Sequence, residues 1–432
     1  RVFRQHQRDN YPDNIKHGYT IAPNLAESAC CQYCRSMGLR KTVKNLNTMD
    51  YVTGQPFDAW TDDVESFIER KMTEFKVAVI PGDGIGPEIA DIAVAVMNEA
   101  AAKFDVKISH DSKPAAAAAV DLGLEPLPGD TLKMCQEADS ILCGPFGDPR
   151  WDNAPPSERP ERAKLMLRKT FDLYANLRPV KPVPALIDAS PLKPELIEGT
   201  DILIVRELTG GMYFGEPRGY FEDKEGKYGV NTMKYHAWEV ERIGHIAFEA
   251  AKLRKNKVTS SDKANALESM QLWRETMQNL HDSSYPDVEL NHVFVDNCAM
   301  QLVSNPKQFD VLVAGNMFGD ILSDVGAQLT GSLGMLPSAS LGKGTPMFEP
   351  VHGSAPDIVG TGKANPLAMI LTVGMMFTHG AKRPDIGEAI DAAVASALEQ
   401  GLRTPDIARG GANEKAVGTR EMGDAVLKAL GE

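Results

Sequence analysis

Lys76-Val-Ala-Val-Ile80 runs directly into Pro81-Gly-Asp-Gly-Ile-Gly-Pro87, and this junction decides the fold class. The first segment predicts a buried strand, and apolar residues at helical spacing predict a helix that starts at Glu88. The glycines look like a nucleotide-binding loop, but the dinucleotide fingerprint is G-x-G-x-x-G and the third glycine, Gly86, comes one residue early. We therefore expect a tight strand-to-helix turn, with any nicotinamide cofactor bound elsewhere.

Further strands alternate with helical segments along the rest of the chain. Short apolar runs predict strands at residues 140–143, 201–205, 293–295 and 310–314. Such alternation is typical of an α/β architecture with much parallel sheet.

Length and composition limit the classes of function. A chain of 432 residues is long enough for two domains, and its net charge of −13 argues against a general binder of nucleic acid or anionic membranes. No apolar run approaches the roughly eighteen residues of a membrane span, and we find no secretory signal pattern. The 6 cysteines do not suggest a disulfide scaffold. We expect a cytoplasmic protein that binds neither nucleic acid nor membrane.

Residues 1–71 differ from the rest of the chain, because they show no sustained apolar period. Cys31-x-x-Cys34 suggests a zinc or redox site, but no second Cys or His pair lies at suitable spacing, so we favour a structural or adventitious role. Our hypothesis is that the functional polypeptide begins at Met72 and that the preceding segment is upstream sequence translated in error.

Two carboxylates stand four residues apart in Asn316-Met-Phe-Gly-Asp-Ile-Leu-Ser-Asp324. This spacing places Asp320 and Asp324 on one face of a helix, and we expect Ile321 and Val325 to face the core. Neighbouring carboxylates repel each other unless a cation lies between them, and a hard divalent cation is the usual occupant. The alternative is a solvated helix face whose first-turn acids are favoured by the helix dipole.

Three arginines suggest an anionic ligand. Arg168 and Arg178 are ten residues apart, and Arg206 comes directly after an apolar strand, where open α/β sheets bind their ligands. Guanidinium groups bind carboxylates bidentately, so a converging set would suit a di- or tricarboxylate. Separate surface salt bridges are the alternative.

Other candidates carry proton-transfer and cofactor chemistry. Tyr213 lies in a glycine-dense loop, and Lys263 comes after a strand-like segment, where a nearby cation would lower its pKa and suit it to general-base work. Packing and surface charge are the alternatives. Asp296 closes a predicted strand as a third carboxylate. The loop from Phe348 to Asp357 could wrap an adenosine, and an acid there would favour NAD over NADP.

Together these segments closely resemble the family of β-decarboxylating dehydrogenases, and within it the branch that oxidises isopropylmalate. The match runs from about Phe75 to the C-terminus. The motifs that carry it are Gly82-Asp-Gly-Ile-Gly-Pro-Glu88, Asp172-Leu-Tyr-Ala-Asn-Leu-Arg-Pro179, Arg206-Glu-Leu-Thr-Gly-Gly211, Tyr213-Phe-Gly-Glu-Pro-Arg-Gly219, Gly319-Asp-Ile-Leu-Ser-Asp324 and His352-Gly-Ser-Ala-Pro-Asp357.

The resemblance implies an α/β fold of two domains with a large mixed sheet, distinct from the standard Rossmann fold. The first domain, on the cofactor side, would comprise residues 72–173 and 331–432. The second, residues 174–330, would hold the substrate, the metal and the dimer interface. The protein would be a homodimer with shared active sites, to which the partner contributes Lys263 and Asp296.

The resemblance also implies a role for each candidate residue. Arg168, Arg178 and Arg206 would bind the substrate carboxylates, with Glu161, Leu165 and Asp296 as further substrate contacts. Asp296, Asp320 and Asp324 would hold Mg²⁺ or Mn²⁺. Lys263 would act as the base and Tyr213 as the acid. NAD would contact Glu349, His352, Gly353, Ser354, Ala355, Pro356, Asp357, Ile358 and Asn365.

The expected activity is NAD-dependent oxidative decarboxylation of 3-isopropylmalate to 4-methyl-2-oxopentanoate, in leucine biosynthesis. Two positions depart from the family pattern: Lys164 replaces the first of two leucines that cradle the isopropyl group, and Ala266 stands where valine is frequent. The lysine could send its charge to water, or it could meet an extra carboxylate. The second option keeps homoisocitrate, D-malate or tartrate open as substrates. A non-catalytic binding relative is disfavoured, because every proposed catalytic position is filled.

Overall fold

The computed structural model describes residues 74–155 and 158–432. The segment 1–71, its Cys31-x-x-Cys34 motif and the proposed start at Met72 lie outside the described residues.

Fourteen strands are present in the described part of the chain. They are β1 (Phe75–Ile80), β2 (Ile108–Ser112), β3 (Ser140–Cys143), β4 (Leu173–Val180), β5 (Ile202–Glu207), β6 (Gly215–Asp223), β7 (Gly226–Thr232), β8 (Lys257–Asp262), β9 (Glu289–Phe294), β10 (Val311–Ala314), β11 (Pro337–Gly342), β12 (Met347–Pro350), β13 (Leu402–Arg403) and β14 (Lys415–Ala416).

The α-helices connect and cover these strands. They are α1 (Gly86–Lys103), α2 (Ala116–Val120), α3 (Gly129–Glu137), α4 (Arg162–Thr170), α5 (Pro194–Ile197), α6 (Ala237–Lys252), α7 (Glu268–Ser284), α8 (Val295–Ser304), α9 (Asn316–Ala327), α10 (Leu367–Met375), α11 (Pro384–Glu399) and α12 (Thr419–Gly431).

Ten strands form one mixed sheet in the order β2-β1-β3-β12-β11-β4-β5-β10-β8-β9. The outer strands form two parallel blocks, β2-β1-β3-β12 and β5-β10-β8-β9. Between them, β11 and β4 pair antiparallel with each other and with their neighbours. This centre confirms the predicted large mixed sheet and distinguishes the fold from a Rossmann domain, whose sheet is mostly parallel.

The halves of the sheet come from different parts of the sequence. One half, β2-β1-β3-β12-β11, draws on residues 75–143 and 337–350, whereas β4-β5-β10-β8-β9 draws on residues 173–314. Apolar residues from both halves belong to one buried cluster, with Trp273, Phe248 and Phe348 among its largest fully buried side chains. The division into two domains stays a prediction.

The opening junction is a tight turn, as predicted. β1 ends at Ile80 and α1 begins at Gly86, two residues earlier than expected, while Gly82 and Gly84 adopt φ values of +83° and +59°. Such conformations strain any residue with a Cβ atom. The carboxylate of Asp83 fixes the turn, because it accepts hydrogen bonds from the backbone N–H groups of Ala118 at 3.0 Å and Gly147 at 2.8 Å.

The expectations for α9 need correction. The helix begins at Asn316, so Asp320 lies beyond the first turn and its carboxylate is not a helix-dipole acid. The predicted core face is only partly correct, because Val325 packs against the buried cluster whereas Ile321 is 53% exposed. The helix packs through the buried side chains of Phe318 and Leu322, and also through Gly319 against Arg206 and Gly326 against neighbouring strands. A pattern built on apolar side chains cannot detect contacts made by glycine.

A second correction concerns the predicted strand at 293–295. β9 ends at Phe294, and Val295 already begins α8, so Asp296 lies in the first turn of a helix.

In the residues that the structure describes, no helix is both long and apolar enough to cross a membrane.

The turn after β1 predicts a measurable cost for added volume at Gly144. A Cβ atom there would lie 1.9 Å from the carbonyl oxygen of Pro81, a backbone atom that cannot rotate away. We expect Gly144→Ala to lower the free energy of unfolding by about 1–3 kcal/mol. Gly129→Ala is the control, because nothing lies within 4 Å of its added Cβ. Chemical denaturation that ranks the two variants as equally stable would contradict this packing.

Candidate active site

The candidate residues gather at the C-terminal ends of β5, β10 and β8. The strand register pairs Arg206 with Ala314 and Ala314 with Ser261, so these ends lie side by side. Asn316 starts α9 just after β10, and Lys263 comes directly after β8. This is the edge of a parallel sheet where α/β proteins bind ligands.

Arg206 is held in place by a neutral amide. Its guanidinium, 2% exposed, donates from Nε at 3.1 Å and from Nη2 at 2.9 Å to Oδ1 of Asn316, and its Nη1 bonds to Asp320. Burial lowers the pKa of Arg206 to about 9, and the charge of Arg178 adds to this effect. An anion bound beside this buried guanidinium would stabilise its charged form.

Arg178 is held in the same way. Nε donates to Oδ1 of Asn176 at 2.6 Å, and Nη1 donates to Oγ of Ser323 at 2.6 Å. Its nearest carboxylate oxygen is Oδ1 of Asp320, at 3.4 Å. Burial lowers the pKa of Arg178, and this guanidinium shares the Asp320 carboxylate with Arg206.

Arg168 reaches the same cluster from α4. Its Nη2 donates to Oε1 of Glu349 at 3.0 Å, and its charge acts on both Arg178 and Arg206. The structure therefore brings the three predicted arginines together. The separate surface salt bridges are ruled out, since each of the three is at most 6% exposed.

Asp320 and Asp324 face this cluster from α9. Oδ2 of Asp320 accepts a hydrogen bond from the Tyr213 hydroxyl at 3.1 Å. Burial raises the pKa of Asp324, and the charge of Asp320 raises it further. Two carboxylates that repel each other fit a hard divalent cation, because the cation would stabilise the ionised form of both.

Lys263 and Asp296 form a pair of their own. The Lys263 ammonium lies 2.9 Å from Oδ1 of Asp296, and the carboxylate is 65% exposed. Over residues 74–155 and 158–432, no three acidic, His or Cys side chains of this single chain are placed to hold a metal ion. Asp296 therefore does not join Asp320 and Asp324 within one subunit.

The predicted cofactor loop packs against the opening turn. The backbone N–H of Ile85 donates to the carbonyl oxygen of Ser354 at 2.9 Å. Nε2 of His352 is buried with no hydrogen-bond partner in the described structure, while Gly353 has open space around it. A buried ring nitrogen without a partner, next to open space, could form a hydrogen bond with a polar ligand such as a dinucleotide.

The remaining predicted contacts take varied positions. Glu161 stands at the N-cap position of α4, and Leu165 and Arg168 follow it at spacings i+4 and i+7, on the same side of the helix. Asp357 is exposed. The Asn365 amide donates to Asp406 at 3.0 Å, and its oxygen accepts from the backbone of Leu367 at 3.0 Å. Ala355, Pro356 and Ile358 form the short turn after Ser354.

Sequence reasoning missed the residues that hold the arginines. Asn316 also donates to the carbonyl oxygen of Gly210 at 3.2 Å, and its backbone N–H donates to the hydroxyl of Tyr235 at 2.8 Å. The Tyr235 ring lies so close to Gly210, Gly211 and Gly315 that no Cβ atom fits there. The only sequence signal was the density of glycines in these segments.

Comparison with known proteins agrees with this geometry. The family model described as isocitrate/isopropylmalate dehydrogenase matches residues 76–426. The 3-isopropylmalate dehydrogenase of Gloeobacter violaceus is 55% identical over 358 residues, covering 82% of this chain and 98% of that protein. That of Aquifex aeolicus is 49% identical over 359 residues, covering 83% and 98%. The crystal structure of isocitrate dehydrogenase from Methylococcus capsulatus has a TM-score of 0.73 and 35% identity, covering 83% of this chain and 100% of that one.

Asn316→Ala tests the support of Arg206. The substitution removes the acceptor of two hydrogen bonds from a buried guanidinium, so we expect the free energy of unfolding to fall by about 1–3 kcal/mol. Asn98→Ala on α1, where the asparagine is exposed, is the control and should change stability by less than about 0.5 kcal/mol. Denaturation curves in which the two variants are equally stable would show that the amide does not support the arginine.

Proposed function

The chain belongs to the isocitrate/isopropylmalate dehydrogenase family, and from this premise we propose that it oxidises and decarboxylates 3-isopropylmalate with NAD. The product is 4-methyl-2-oxopentanoate, and the reaction serves leucine biosynthesis. The observation that carries the proposal is the buried cluster of Arg168, Arg178 and Arg206, whose cationic charge exceeds that of the carboxylates it contacts. Curated relatives that bear the name 3-isopropylmalate dehydrogenase support it, because the match covers 98% of each of them and 82–83% of this chain.

The arginines bind the two carboxylates of the malate and fix its orientation. Lys263 of the partner subunit accepts the proton of the 2-hydroxyl group, and Tyr213 donates a proton to the carbon that loses CO₂. Burial and the nearby charge of Asp320 raise the pKa of Tyr213, so its phenol keeps the proton until it is needed. Glu161, Leu165 and Asp296 complete the substrate contacts.

We assign the cofactors to two groups of residues. Asp320, Asp324 and Asp296 of the partner subunit hold Mg²⁺ or Mn²⁺, which when bound polarises the hydroxyl and stabilises the negative charge left by decarboxylation. The segment from Glu349 to Ile358, with Asn365, holds NAD. Asp357 favours NAD over NADP, because its carboxylate repels a 2′-phosphate.

A homodimer is inferred from the incompleteness of the single chain. Asp296, Asp320 and Asp324 do not form a metal-binding group within the described residues of one chain, which supports a site completed by Asp296 and its neighbour Lys263 from a second subunit. The helices α8 and α9 expose apolar side chains, with Met300 at 63% and Ile321 at 53% exposure. Exposed apolar side chains on two neighbouring helices are compatible with a protein interface there. We place the protein in the cytoplasm and assign it no nucleic-acid or membrane partner.

We retain the two-domain division at residues 174 and 330 as part of the proposal. A sister activity on homoisocitrate, D-malate or tartrate is the second candidate. It is favoured by Lys164, which stands where the family pattern has a leucine that cradles the isopropyl group.

A substrate panel tests the choice. With the full chain, Mn²⁺ and NAD, we expect kcat/KM for 3-isopropylmalate to exceed that for homoisocitrate, D-malate and tartrate at least about tenfold, since apolar pocket contacts discriminate on this scale. Reduction of NAD, measured by absorbance of the reduced nicotinamide, gives the rates, and NADP serves as the cofactor control. A tenfold preference for any of the other acids would overturn the assignment.

Mixing inactive variants tests the shared sites. Lys263→Met and Asp320→Asn should each abolish most activity. In a mixed dimer one site carries both defects and the other carries none, so random reassociation of equal amounts should restore about a quarter of wild-type activity. Self-mixing of each variant is the control. No recovery, with mixed dimers verified by native mass spectrometry, would place each complete site within a single subunit.

A further inference from the structure

Lys164 occupies the same face of α4 as the proposed substrate contacts. It stands three residues after Glu161 and four before Arg168, which is the spacing of neighbours on a helix surface. Its side chain is 25% exposed, and its ammonium lies 2.7 Å from Oε2 of Glu349. The lysine therefore directs its charge neither to water nor to the centre of the arginine cluster.

Glu349 is a buried anion that two cations share. It is 3% exposed, with Oε1 on Arg168 and Oε2 on Lys164, so both cations come from one turn of α4. Burial alone would raise the pKa of Glu349, but Lys164 and Arg168 overcome this effect and lower it to about 2. The Glu349 carboxylate therefore remains ionised and attracts both Lys164 and Arg168.

The contact between Glu349 and Arg168 uses only part of the guanidinium. Nη2 donates to Oε1, whereas Nε of Arg168 is buried without a hydrogen-bond partner among the described residues. A guanidinium normally binds a carboxylate through two parallel N–H groups. The second oxygen of Glu349 accepts no hydrogen bond among the described residues, but its ion pair with Lys164 at 2.7 Å keeps it against the lysine ammonium.

We propose that Lys164 is a positioning residue for substrate binding. By pairing with Oε2 of Glu349, it restricts that carboxylate to a one-nitrogen contact with Arg168 and reserves the Nε–H donor for a carboxylate of the substrate. The inference rests on the proposed function, since it takes a malate carboxylate as the ligand of Arg168.

Removal of the lysine charge has a defined consequence. Without Lys164, Glu349 remains a buried anion with Arg168 as its nearest partner, and its free oxygen can turn toward Nε. The substrate must then displace an internal carboxylate from a bidentate contact. Binding weakens, while the chemical step on the bound substrate keeps its groups and its rate.

The rival role for Lys164 is direct contact with the side group of the substrate. In that case the ammonium would leave Glu349 and bind a third carboxylate. Loss of the lysine would then reduce turnover of homoisocitrate much more than turnover of 3-isopropylmalate.

The experiment compares Lys164→Met with Lys169→Met, which removes an exposed lysine from the same helix. We expect Lys164→Met to raise KM for 3-isopropylmalate about tenfold and to leave kcat within about twofold, because only ground-state access to Arg168 changes. Calorimetry of 3-isopropylmalate with Mn²⁺ and no NAD should show the same increase in Kd. Lys164→Arg should restore most of the affinity, and Lys169→Met should match the wild type.

A second background isolates the mechanism. In Glu349→Gln, the neutral amide no longer competes for Arg168, so adding Lys164→Met should raise Kd by less than about twofold. An unchanged Kd in Lys164→Met, a full tenfold effect in the Glu349→Gln background, or a loss confined to homoisocitrate would each overturn the proposal. Wild-type protein that fails to bind 3-isopropylmalate would overturn the proposed function as well, whereas normal wild-type binding limits the failure to Lys164.

Discussion

Burial of the Arg178 and Arg206 guanidinium groups beside a single shared carboxylate is the constraint on which the site depends. Buried cations are costly unless their donors are satisfied, and here Asn176 and Asn316 satisfy them without cancelling the charge. The protein thereby keeps two rigid cations ready for an anionic ligand. Carboxylates in the asparagine positions would hold the arginines equally well but would neutralise them.

The neutral supports impose their own demands on the backbone. Asn316 can reach Arg206 because Gly319 lets α9 lie directly on the arginine side chain. Tyr235 can pack against the same turn because glycines at 210, 211 and 315 leave room for the ring. The glycines in these segments therefore allow close packing around the arginines. This packing explains their density without a role in nucleotide binding.

Sequence predicted the α/β class, the opening turn and the three arginines, because each depends on local pattern or on position at a strand end. It did not predict Asn316 as a support, since an amide has no pattern that names a partner 110 residues away. It also missed Asn176, although this support stands only two residues from Arg178. One of the two residues predicted on the core face of α9 was wrong for a related reason. Ile321 is apolar and exposed, and a sequence pattern cannot distinguish an apolar residue that faces the core from one that faces a second protein surface.

The same logic explains why a lysine is tolerated at position 164. A leucine there would offer Glu349 no counter-charge, and the buried carboxylate would depend on Arg168 for nearly all of its compensation. The lysine places its charge 2.7 Å from Oε2 of a buried anion, so the substitution introduces no unpaired charge. Lysine at position 164 is thus compatible with the fold, although the family pattern has a leucine there, because β12 supplies Glu349 as its counter-ion.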